Sequence, residues 1–118
     1  MTLQFNNTVP TINELYDLIK KNIGSKYQCD LVHDRWNINF SAPKQCIMIK
    51  KSHAVGIGIF VNEKKNIIDV DGIVPNQILD RVVFGNYVTR LLLIPSWNKL
   101  EKEIGDTIKI ELPLQQLQ

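Results

Sequence analysis

Between Tyr27 and Ile73 apolar residues recur mostly at every second position, the period of a β-strand. Tyr27, Cys29, Leu31 and His33 share one parity against Gln28, Asp30 and Val32. Trp36, Ile38 and Phe40 alternate with Asn37 and Asn39, which predicts a half-buried strand joined to the preceding one through Asp34-Arg35. Ser41-Ala42-Pro43-Lys44 interrupts the pattern, and residues 45–51 resume it with Cys46, Ile47, Met48 and Ile49 apolar in succession. After a break at Ser52, residues 53–61 carry Val55, Ile57, Ile59 and Val61 on one parity and Ala54, Gly56, Gly58 and Phe60 on the other. A strand wetted on one side would alternate apolar with polar. This one does not, so both of its faces are expected to be covered. A polar turn at 62–66 then leads into a strand over 67–73, giving an antiparallel meander of about five strands in the middle of the chain.

The flanks read as helices. Thr11 and Glu14 have the spacing of a capping box, and Ile12, Leu15, Tyr16, Ile19 and Ile23 fall on one helical face that Gly24 ends. Beyond Pro75 the period is again helical. Ile78, Leu79, Val82 and Val83 share one face, whereas Phe84, Val88, Leu91 and Leu92 share a different one. Two short helices divided at Gly85-Asn86 fit this pattern, and a continuous helix buried all round competes with them. Pro95-Ser96 is read as the end of that segment and the cap of a helix over 97–104. Gly105-Asp106 is read as a turn, and 107–112 as a closing strand with Ile108, Ile110 and Leu112 on one parity. Residues 112–118 are read as a frayed tail.

The expected fold is therefore α+β, one domain over residues 1–118. A single curved antiparallel sheet of about six strands carries an N-terminal helix and two or three helices from the C-terminal half. At 118 residues, with 44% hydrophobic and 22% charged residues, the chain can bury a core without staples. A net charge of +2 gives no strongly basic surface, so nucleic acid is an unlikely partner. No run is long enough to cross a bilayer, and the N-terminus lacks the pattern of a signal peptide. A cytoplasmic location and two unpaired thiols follow as expectations.

Candidate chemistry is sparse. Cys29, His33, Cys46 and His53 resemble a zinc set by type only. Cys29 and His33 lie ~13 Å apart along one strand, too far to share an ion. Asp69-Val70-Asp71-Gly72 begins like a calcium loop, but Val74 and Asp80 stand where Gly and Glu are needed. Gly56-Ile57-Gly58 lacks the third glycine and the following helix of a phosphate-binding turn. No metal, cofactor or catalytic residue is assigned, which leans away from an enzyme. The two-faced apolar pattern instead suggests a non-enzymatic protein-interaction module, self-associating through an apolar sheet face or binding another protein. The alternative is a domain for a small apolar or anionic ligand, or a small enzyme, with a pocket over the sheet near Gly56 and Gly58. Trp36, Met48 and His53 would be its other lining residues.

Overall fold

A computed structural model describes residues 2–5, 9–33, 45–75 and 87–111. Helix α1, Ile12–Ile23, starts as the sequence predicts. The Thr11 hydroxyl accepts from the Glu14 backbone N–H at 3.2 Å, and the Glu14 carboxylate accepts from the Thr11 N–H at 3.1 Å. The bond from the Thr11 backbone N–H first, and interaction with the Thr11 side chain second, draw the Glu14 carboxyl below its ordinary pKa. Leu15, Ile19 and Ile23 form the buried face. Replacing Thr11 with alanine orphans a first-turn N–H and is expected to cost about 1 kcal/mol. Thermal unfolding checks this, and an unchanged midpoint would mean the cap adds nothing.

Five strands form one antiparallel sheet among the described residues: β1, Thr2–Gln4; β2, Gln28–His33; β3, Gln45–Lys50; β4, Gly56–Asn62; and β5, Ile67–Ile73. Their order across the sheet is β1-β5-β4-β3-β2. The α+β class and the single antiparallel sheet match the expectation. The details differ in four places.

First, β1 is a strand that the alternation does not announce; it pairs Leu3 with Ile68 at the edge of β5. Second, β2 pairs directly with β3 from Gln28↔Lys50 to His33↔Gln45, so no strand stands between them. The predicted strand over Trp36, Ile38 and Phe40 lies outside the described residues, as do the Gly85-Asn86 boundary and the tail. Third, residues 53–55 belong to the β3–β4 turn and not to the strand. The Lys51 and Ser52 N–H groups both donate to the Val55 carbonyl, and the Val55 N–H donates to the Ser52 hydroxyl at 3.1 Å.

Fourth, the C-terminal half holds one long helix in place of a short helix, a turn and a strand. Helix α2 runs Tyr87–Glu111 without a break at Pro95 or at Gly105-Asp106. Proline deprives the Leu91 carbonyl of its helical donor. Leu91 and Pro95 are both exposed, so water can replace that donor. Burial of Trp97, Leu100, Ile104 and Ile108 at a helical spacing holds the helix together past the proline. The apparent alternation of Ile108 and Ile110 is resolved by the same helix, because two residues along it point nearly opposite ways. Ile108 is buried and Ile110 is 73% exposed.

The register sorts side chains into two faces. Ile47↔Ile59↔Val70 and Ile49↔Ile57↔Gly72 form rows on the face that α1 and α2 cover. Met48↔Gly58↔Asp71 and Phe60↔Asp69 form rows on the opposite face. At the β4–β5 turn Asn66 adopts a left-handed conformation, φ 55°, which asparagine tolerates better than most residues. Its carbonyl accepts from the Phe5 N–H at 2.9 Å and so fastens the end of β1.

Candidate functional site

The glycines of the central strands do leave space, and the chain's own rings fill it. A Cβ on Gly56 would stand 2.6 Å from Pro75 Cγ and 2.9 Å from the Ile49 carbonyl oxygen. A Cβ on Gly58 would meet the Phe60 ring at 3.1–3.2 Å and Ile73 Cγ2 at 3.4 Å. On the helix-covered face a Cβ on Gly72 would meet the Trp97 indole at 3.1–3.3 Å. Each glycine thus lets a ring lie close against the sheet. The Trp97 indole is held there by its Nε1–H, which donates to the Ile73 carbonyl at 3.0 Å.

Among the described residues, Met48 and His53, both expected to line a pocket, lie apart, one within β3 and the other in the β3–β4 turn. Met48 is buried opposite Gly58, with Asp30 as its other neighbour across the sheet. His53 is exposed in the β3–β4 turn, beyond the end of both strands. Trp36 lies outside the described residues. The face bearing Met48 is closed in the single chain: Cys46, Met48, Phe60 and Ile73 are all buried. The two cysteines form no disulfide, are both buried and stand on opposite faces of the sheet. Burial pushes the Cys29 thiol above its ordinary pKa, the wrong direction for a nucleophile.

Asp69 and Asp71 do share a face, as the strand period requires. The Thr2 hydroxyl donates to Asp69 Oδ1 at 2.7 Å, and both aspartates are half-buried. Burial first, and then the charges of Asp69 and Glu101, raise the Asp71 pKa. At the far side of the sheet Lys26 Nζ contacts Glu103 Oε2 at 2.6 Å, and the Tyr27 hydroxyl donates to Glu103 Oε1 at 2.9 Å. This group ties the α1–β2 turn to α2. No group of three or more potential metal ligands occurs among the described residues.

The feature that stands apart is on α2. Trp97, Leu100, Ile104 and Ile108 face the sheet. The side directly opposite carries Lys99, Lys102 and Asp106 in its second half, an ordinary wetted surface. In its first half the same side carries Val88, Leu91, Leu92 and Pro95. Val88 is 64% exposed, Leu92 74% and Leu91 46%. Single exposed leucines are common, but four apolar residues at i, i+3, i+4 and i+7 make a continuous stripe. The sequence shows that Val88, Leu91 and Leu92 share a face. What it does not show is that the face points away from the sheet.

No helix among the described residues is long and apolar enough to cross a membrane. Comparison with protein-family models, with curated proteins and with solved structures finds no match.

Proposed function

We propose that this chain is a non-enzymatic protein-interaction module that associates with itself, using the first half of α2 as its docking element. The observation that carries this reading is the apolar stripe of Val88, Leu91, Leu92 and Pro95 on a helix whose second half buries Trp97, Leu100, Ile104 and Ile108 against the sheet on the other side. Exposed apolar surface that is contiguous, and that gives way to charged residues along the same helix, is the pattern of a surface that meets another protein. The sheet faces are less suited to that role, because the apolar residues of both faces of β4 are buried within one chain.

Sedimentation equilibrium tests the reading. The weight-average mass is expected to rise towards that of a dimer as concentration increases from about 1 µM to about 500 µM, the range in which small interfaces act. Leu92→Lys, placed at the most exposed position of the stripe, is expected to abolish that rise without lowering the thermal midpoint. A wild-type chain that stays monomeric across the whole range removes the proposal.

A further inference from the structure

We draw no further inference here: the strongest candidate, the outer edge of β2 at the side of the described sheet away from β1, runs directly into residues 34–44, which lie outside the described residues, so nothing in the structure shows what pairs with it.

Discussion

Trp97→Ala is expected to destabilise the chain by about 3–5 kcal/mol, the range for removing a large buried aromatic side chain. Trp97 is 8% exposed, and its indole lies against the bare backbone of Gly72, a position that no smaller side chain can reach to fill. The substitution also leaves the Ile73 carbonyl without its indole donor inside the core, and an orphaned buried acceptor adds to the cavity cost. Against a typical total of about 5–15 kcal/mol, such a loss would leave much of the population unfolded at moderate temperature. Denaturant unfolding measures it. Trp97→Phe separates the two contributions, since it keeps most of the packing and loses only the hydrogen bond, with an expected cost of about 1–3 kcal/mol. If Trp97→Ala cost less than about 1 kcal/mol, α2 would not be held to the sheet by this residue.

Gly56→Ala is expected to be the most damaging single methyl that can be added to the sheet, costing about 3 kcal/mol, the upper end for overpacking. What matters is which atoms must give way. At Gly56 the new methyl meets the Ile49 carbonyl oxygen, a backbone atom of the neighbouring strand, and a ring carbon of the rigid, buried Pro75. At Gly58 it meets only side-chain atoms of Phe60 and Ile73, which can shift by a few tenths of an ångström. Gly58→Ala should therefore cost less, about 1–2 kcal/mol. Adding Pro75→Ala to Gly56→Ala should recover part of the loss but not all, because the carbonyl contact remains. Equal costs at the two glycines, measured by the same unfolding curves, would contradict this reading.

Local signals were the ones that sequence could deliver. The capping box at Thr11 and Glu14 involves four consecutive residues, and the strand parities of 28–33, 45–50, 56–62 and 67–73 follow from a period of two. The errors arose where a nonlocal gain outweighs a local rule. Pro95 and Gly105 each disfavour a helix, and Ile108 and Ile110 imitate a strand over too short a run to exclude one. The matter is decided by the apolar surface that Trp97, Leu100, Ile104 and Ile108 bury on a sheet formed tens of residues earlier. Thr2–Gln4 is only three residues long and becomes a strand because β5 offers it an edge.

The site was half legible for a related reason. Periodicity groups Val88, Leu91 and Leu92 on one face, but a face has no direction until the opposite side is known to be engaged. Gly56 and Gly58 mark where β4 lacks side chains and something can lie close over the sheet. Their occupants, Pro75 and Phe60, could not be named, because a chain's pattern does not say which of its own rings will fold back over a strand.

The sheet order carries a consequence for how the chain is made. β1 is synthesised long before the strand that pairs with it: 67 residues separate Thr2 from its partner Asp69. Leu3 and Phe5, which end at 3% and 2% exposure, have nowhere to dock until β5 and the β4–β5 turn have emerged. The hairpins from β2 to β5 join near neighbours and can zip as they appear, whereas β1 closes the longest loop between paired strands of the described sheet. Leu3 and Phe5 therefore lack their final cover until β5 has formed, and docking β1 is what buries them.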